Sequence, residues 1–501
     1  MGVGVFMHIP RFLMLGALSV LLLLTAGCVS GYNPVTGEDR FYAYSWEQER
    51  QIGSRTDKEI TAQYGVYPDG SLQTYVDHVG QEVLQESDLR SPEVPARFRE
   101  TPFTFRVLDS PVVNAFALPG GYIYVTRGLL AHLQNEAQLA VVLGHEIAHV
   151  AARHSSRRAL QSRLGQVGLL AGSVIGSQAF ESPALTREVL NLSGRAMQLL
   201  FLKYSRDDER QADRLGVRYA GSAGYSAGEA SGFFQTLNRM SERQGQTLPS
   251  WQSTHPDPGQ RERKVLELAR DLSAATEMQA VRSDTYFSYI DGLVVGEDPR
   301  QGYAGEGVFY HPGMRFKFSV PAGWELRNQK TMVAIVSPQR DAAITFRLAR
   351  EDTAEKAARQ FRTSQGVQVK KAEPTLVNGH RSYAITAVVR TQKGPVAIRQ
   401  YFIEHEDRVF AFIGFTGIQN YKNMQPTFEQ TLRSFATLRD AKKINVSPLR
   451  INLVTVDRAA EFRTFVTSLP GGMSAADIAL LNQTELGAIM EAGRKLKLPA
   501  P

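Results

Sequence analysis

The sequence has almost no cysteine. Of 501 residues only Cys28 carries a thiol, so no disulfide can close within one chain and its folds must hold by burial alone. It also lacks any run of five or more basic residues. Lys and Arg number 57 against 50 Asp and Glu, a net charge of +7, but the excess is spread along the chain and gives no nucleic-acid footprint. No apolar run is long enough to span a bilayer comfortably, and there is no low-complexity tract or internal repeat. With 43% hydrophobic and 21% charged residues, a collagen-like or wholly disordered chain is excluded. The length suggests about three folded units.

The sole thiol stands in an informative place. After Arg11 comes an apolar stretch from Phe12 to Ala26, and the small residues Ala26 and Gly27 directly precede Cys28. Residues 1–27 read as an export signal, and LTAGC resembles the bacterial lipobox, whose cysteine becomes the lipid-bearing mature N-terminus. Val29 rather than Asp follows, which by resemblance to Gram-negative lipoproteins favours the outer over the inner membrane. The expectation is a periplasmic protein held to a membrane through lipid on Cys28.

Composition and patterning divide the rest into an α+β multidomain chain. A polar tether (28–44) leads into a helix-rich region (45–285). A glycine-rich linker (286–305) follows, then an α+β domain on an antiparallel sheet (306–440) and a small C-terminal unit (441–501). Within 306–440, Arg315–Val320, Ile344–Leu348, Ser382–Val389 and Val409–Phe415 read as strands, and Asn378-Gly379 as a hairpin turn. Thr353–Phe361 and Met424–Phe435 read as helices. The stretch Leu164–Phe180, with four glycines in a charge-free run, reads as a buried or mobile helix, with an active-site cover or a membrane-touching segment as the alternative. Pro119-Gly120-Gly121 turns the chain into Tyr122–Thr126, read as a strand that could take an extended peptide along its edge.

The chemistry sits in GHEIAHV, residues 144–150. Asn135 with Gln138 offers a helix start, and His145 and His149, four apart, then share one helix face. Two imidazoles so placed can bind one Zn²⁺, with Glu146 beside the attacking water. Such a site needs a third protein ligand. His154 reads as a surface or packing residue further along the same helix, because Ala152 and Ser155 stand where the metzincin pattern has its glycine and third histidine. The better source is SRDDERQADRLG, where Ser205 caps a helix with an acidic first turn. Glu209 and Asp213 lie on one face of it. One carboxylate can ligate the metal while the other holds a ligand histidine by its second ring nitrogen.

HExxH followed by SRxxExxAD resembles the zinc metallopeptidase family that includes HtpX and the CAAX prenyl proteases, and most closely its soluble, periplasmic BepA-like branch. NPVTG (33–37), VNAFALPGGYIYVTRGLL (113–130), STHPDPGQR (253–261) and DGLVVGEDPRQG (291–302) extend the resemblance. It implies a gluzincin-type fold over the helix-rich region, one Zn²⁺ per chain on His145, His149 and Glu209, Glu146 as catalytic base, and Asp213 behind a ligand. It also implies that His255 can fill the open metal position and keep the enzyme latent. Arg261 is a candidate partner for a polarised carbonyl or an acidic side chain. Substrates would be unfolded or misassembled envelope proteins. The rival reading is a chaperone or scaffold for envelope assembly with little proteolysis. The C-terminal unit resembles a degenerate LysM module, which would add peptidoglycan as a partner. Arg458-Ala459-Ala460 replaces the expected Gly-Asp-Thr, which favours a structural or docking role.

Overall fold

A computed structural model of the chain describes residues 28–172, 204–244, 255, 258–273, 280–391, 394–467 and 473–501. The expected signal at 1–27, and Leu164–Phe180 beyond Gly172, lie outside the described residues.

Where a polar tether is expected, the chain forms a hairpin of β1 (Val29–Tyr32) and β2 (Asp39–Tyr42). Asn33 makes its turn by accepting the amides of Val35 and Thr36 on Oδ1, and Gly37 takes the left-handed conformation at φ 71°. Helices α1 (Trp46–Tyr64) and α2 (Gly70–Gln85) follow, then a sheet of β3 (Thr104–Leu108), β4 (Ala115–Leu118) and β5 (Tyr122–Thr126). The strand order is β3-β5-β4. Tyr122–Thr126 is therefore the central strand, not an edge available to a peptide. Gly120 and Gly121, at φ 83° and 97°, fold β4 back onto it antiparallel, so the outer positions fall to β3 and β4.

The short α3 (Arg127–His132) leads to α4 (Glu136–Ala151), which carries the HExxH motif and is buried along its whole length. Asn135 caps α4 by accepting the Gln138 amide. The Gln138 side chain accepts from the Gln134 amide instead of returning to Asn135, so only half of the expected box forms. The helix ends at Ala151, Arg153 adopts φ 57°, and α5 (His154–Gly172) begins in a new direction. His154 thus does not continue the motif helix. Next come α6 (Arg206–Ser222), α7 (Ala230–Gln244), α8 (Pro258–Ser273) and α9 (Ser283–Ile290). On α6, Ser205 and Asp208 form a full reciprocal capping box.

Helices α4 and α6 cross backbone to backbone at two glycines. A Cβ on Gly144 would lie 2.8 Å from the Gly216 carbonyl oxygen, and one on Gly216 would lie 2.6 Å from the His145 amide nitrogen. Around this crossing, Leu139, Leu143, Ile147, Leu215 and Phe233 belong to one continuous buried cluster.

The second unit starts slightly before the expected boundary. A four-stranded sheet, in the order β16-β8-β7-β6, joins β6 (Tyr303–Gly305), β7 (Val308–His311), β8 (Phe316–Ser319) and β16 (Ala436–Thr437). A seven-stranded antiparallel sheet runs β12-β13-β14-β15-β11-β10-β9. Its strands are β9 (Glu325–Gln329), β10 (Met332–Val336), β11 (Ala342–Leu348), β12 (Val367–Val377), β13 (His380–Thr391), β14 (Gly394–His405) and β15 (Arg408–Gly417), flanked by α10 (Ala354–Arg362) and α11 (Tyr421–Arg433).

The C-terminal unit pairs β17 (Arg450–Thr455) with β20 (Lys495–Ala500) and β18 (Ala460–Glu461) with β19 (Ile489–Met490), around α12 (Ala475–Leu481). It does not stand apart. Ile451, Leu480 and Leu481 belong to the same buried cluster as α4. Lys497 is fully buried, with its Nζ donating to the carbonyls of Ala131 and Leu133 at 2.7 Å each.

Candidate metal centre

The i, i+4 spacing on α4 turns His145 and His149 the same way, and their Nε2 atoms stand 3.0 Å apart. The glycine crossing brings α6 close enough for Glu209 to meet them, with Oε2 3.7 Å from His145 Nε2 and Oε1 3.5 Å from His149 Nε2. His255 joins from the segment before α8, its Nδ1 3.3 Å from His145 Nε2 and 3.0 Å from Glu209 Oε1. All four residues are buried, and their ligand atoms lie within 4.8 Å of one another. Four nitrogen or oxygen ligands about 2.1 Å from one tetrahedral ion stand about 3.4 Å from each other. The observed spacings fall around that value, and an all-N/O donor set suits a divalent metal of the zinc kind.

The surroundings prepare each donor. His145 Nδ1 lies 3.0 Å from Asp213 Oδ1, which accepts its N–H and leaves Nε2 as the lone-pair face. Burial, with the nearby Arg261 cation, pushes His145 down to about 3, so the ring is neutral. Burial alone would raise the Glu209 carboxyl, but His255 and Arg261 outweigh it and hold the group well below the usual carboxylate range. Arg261 donates Nε and Nη2 to Asp213 at 2.8 and 2.6 Å, and Nη1 sits 3.1 Å from Glu209 Oε2. Its guanidinium is taken up by two acidic side chains. Glu146 is raised by burial; both its oxygens are buried and accept no hydrogen bond among the described residues, and Oε1 stands 3.5 Å from His255 Nε2.

The structure therefore brings together His145, Glu146, His149, Glu209, Asp213, His255 and Arg261. Cys28 lies apart, at the start of the N-terminal hairpin. Two residues not expected here also belong to the group. His154, expected at the surface or in general packing, is fully buried, with Nδ1 2.9 Å from His149 Nδ1. Tyr204 stacks on His149, ring centroids 3.9 Å apart at 18°. Tyr204 directly precedes the helix cap at Ser205, and that adjacency was the one signal in the sequence that could have found it.

Residues 71–269 match the sequence profile of peptidase family M48. The mitochondrial metalloendopeptidase OMA1 of Schizosaccharomyces pombe is 27% identical over 259 residues, covering 51% of this chain and 71% of that protein. OMA1 of Bos taurus is 35% identical over 170 residues, covering 32% of this chain and 31% of its own. The beta-barrel assembly-enhancing protease of Escherichia coli K12 is 27% identical over 218 residues, 43% of this chain and 42% of its own. This chain thus spans less than half the length of two of these three relatives. No helix among the described residues is long and apolar enough to cross a membrane. The matched segment contains all four residues of the metal cluster, His145, His149, Glu209 and His255, and residues 71–269 correspond to a metallopeptidase domain of family M48.

Proposed function

We propose that this chain is a zinc-dependent endopeptidase, with one Zn²⁺ held by His145, His149 and Glu209 and with Glu146 as general base. It is exported, tethered by lipid on Cys28 at the periplasmic face of the envelope, on the outer membrane, and cuts unfolded or misassembled envelope proteins. The observation that carries this reading is the buried quartet of ligand atoms at tetrahedral spacing beside a carboxylate with no hydrogen-bond partner among the described residues. Bound zinc supplies Lewis acidity to the scissile carbonyl and to the attacking water. Glu146 accepts the water's proton, a task its burial-raised pKa suits, and returns it to the leaving amine. Asp213 keeps His145 in the tautomer that faces the ion. The outer strand β4 offers a backbone edge for an extended chain segment.

His255 supports a latent resting state. Its Nδ1 stands among the metal donors and its Nε2 beside Glu146, so the ring takes the ground that substrate and water need. The names borne by the bacterial relatives support envelope proteins as the substrate class. For the LysM-like C-terminal unit we favour docking over glycan binding, because it shares a buried cluster with α4.

Metal analysis of the purified protein beside a casein digestion tests the reading. Glu146→Gln should keep about one zinc per chain and lose cleavage, whereas His255→Ala should raise basal cleavage. Zinc at that ratio with no cleavage by wild type or His255→Ala would favour the scaffold alternative, and absence of zinc would remove the site altogether.

A further inference from the structure

His149 must present an unprotonated Nε2 to any metal held with His145 and Glu209, so its single ring proton resides on Nδ1. That nitrogen needs an acceptor in a fully buried place. For His145 the acceptor is the Asp213 carboxylate. For His149 Nδ1 no carboxylate contact is found among the described residues; the atom 2.9 Å away is Nδ1 of His154.

Two facing ring nitrogens can share one proton only if one of them is bare. Since His149 donates, His154 accepts on Nδ1 and carries its own proton on Nε2. There the structure supplies a matching acceptor, Gln211 Oε1 at 3.1 Å, with Asp208 Oδ1 behind it at 3.6 Å. Gln211 and Asp208 both lie on α6, the helix that bears Glu209. Asp208 is itself fixed, accepting on Oδ2 from the Ser205 amide and hydroxyl at the cap and on Oδ1 from Arg157 Nη2 at 2.7 Å. Each ring N–H in this chain then has an acceptor, and one tautomer of each ring satisfies it.

The backbone is bent to make the contact. On an unbroken helix, five residues at about 100° each would put position 154 about 140° round from His149, facing elsewhere. The left-handed Arg153, at φ 57°, ends α4 and starts α5 so that His154 returns over the His149 ring. Tyr204 covers His149 by stacking, and its hydroxyl meets Ser155 Oγ at 3.0 Å, so the same turn also fixes the ring's plane.

Granted the metal site proposed above, we infer that His154 is the positioning residue for His149. It fixes that ligand's tautomer and orientation and couples the HExxH helix to the Glu209 helix through Gln211 and Asp208. His154 touches neither substrate nor metal.

The test compares His154→Leu, which removes the acceptor, with His154→Asn, whose amide oxygen can accept in place of Nδ1. Zinc affinity of the full chain is measured by chelator competition, with melting of the metal-free proteins recorded alongside. His154→Leu should bind zinc about 10- to 100-fold more weakly, and His154→Asn should recover to within about 3-fold of wild type. A folded His154→Leu that holds zinc as tightly as wild type overturns the proposal, as does equal loss in both variants. Should His154→Leu fail to fold, ¹⁵N spectra of histidine-labelled wild type still decide. Nδ1–H on His149 with Nε2–H on His154 supports the proposal, and Nδ1–H on His154 overturns it. Wild-type protein that binds no zinc overturns the metal site first and this inference with it; intact wild-type binding separates the two failures.

Discussion

Gly216→Ala should weaken the metal site by separating the two helices that build it. The new Cβ would meet the His145 amide nitrogen at 2.6 Å, its Cα at 2.9 Å and the Gly144 carbonyl carbon at 3.1 Å. These are backbone atoms of a fully buried helix, so no side chain can swing away. Ordinary contact begins at 3.4 Å, and α4 and α6 must part by about 0.8 Å, the difference from 2.6 Å. Asp213 and Glu209 precede Gly216 on the same helix, so the displacement reaches both carboxylates. Overpacking of this kind costs about 1–3 kcal/mol, and replacing glycine by alanine inside a helix returns about 1 kcal/mol. The net loss in unfolding free energy is therefore small, about 0–2 kcal/mol. The site should suffer more, because a misplacement near 1 Å can cost about 10²-fold in rate. Urea denaturation of the metal-free protein, zinc competition and peptidase assay on one preparation separate the effects. A Gly216→Ala variant that keeps wild-type zinc affinity and activity would refute the claim that this crossing sets the ligand geometry.

Other outcomes follow from buried groups elsewhere. Arg153→Met should destabilise the fold by about 3–5 kcal/mol in urea. Arg153 donates Nε and Nη2 to Glu49 at 3.0 and 2.6 Å, and Glu49 would be left buried without its cation. Leu481→Ala, in the C-terminal unit, should cost about 2–5 kcal/mol and appear in the transition that unfolds the peptidase domain, since both share one cluster; a separate early transition that leaves zinc binding intact would contradict it. Burial pushes His132 and His311 down to about 4 each, below the value near 6.5 of an unfolded chain. Between those limits the unfolded state binds more protons, so their contribution is whole above about pH 6.5 and is lost as pH falls towards 4, by at most about 2.7 kcal/mol per pH unit for the pair. Melting temperatures at pH 7.5 and 5.0 should converge in His132→Gln/His311→Asn relative to wild type.

What the sequence made legible was local. The i, i+4 histidines, the Ser205 cap and the acidic first turn of α6 each follow from short-range chemistry, and each helix forms where that chemistry places it. What escaped depended on breaks and on context. His154 was hidden because nothing in Ala151-Ala152-Arg153 announces a left-handed residue, and an unbroken helix points it the wrong way. Strand β14 is buried on both faces over Val396–Ile403, so it shows no alternation, and period two is the pattern by which half-buried strands are found. Strand β12 contains Lys370, Lys371, Glu373 and Pro374, which suit its place at the edge of the sheet but disguise it as loop. Lys497 reads as surface because lysine is seldom fully buried; only the carbonyls of a distant turn make its burial tolerable.

The two extremes of the described chain converge on the two ends of α4. At its C-terminal end, Asn33 Nδ2 donates to the Ala152 carbonyl at 3.2 Å, and Arg153 Nη1 and Nη2 donate to the carbonyls of Tyr32 and Tyr44. At its N-terminal end, Gln483 Nε2 donates to the carbonyl of His132 and to Gln138 Oε1, both at 2.9 Å, and Gln134 Nε2 donates to the Leu481 carbonyl at 2.7 Å. A helix carrying two of three proposed metal ligands cannot drift without breaking one of these sets. Ligand geometry tolerates only about 0.5 Å of error, and with one thiol in the chain no disulfide can supply that stiffness. The hairpin and the C-terminal unit supply it by hydrogen bonds to main-chain carbonyls. Their loss should therefore lower metal affinity before it lowers helix content, an order that zinc competition and circular dichroism on a Gln483→Ala/Lys497→Met variant can establish. Parallel loss of both would show that α4 owes its position to its own core contacts alone.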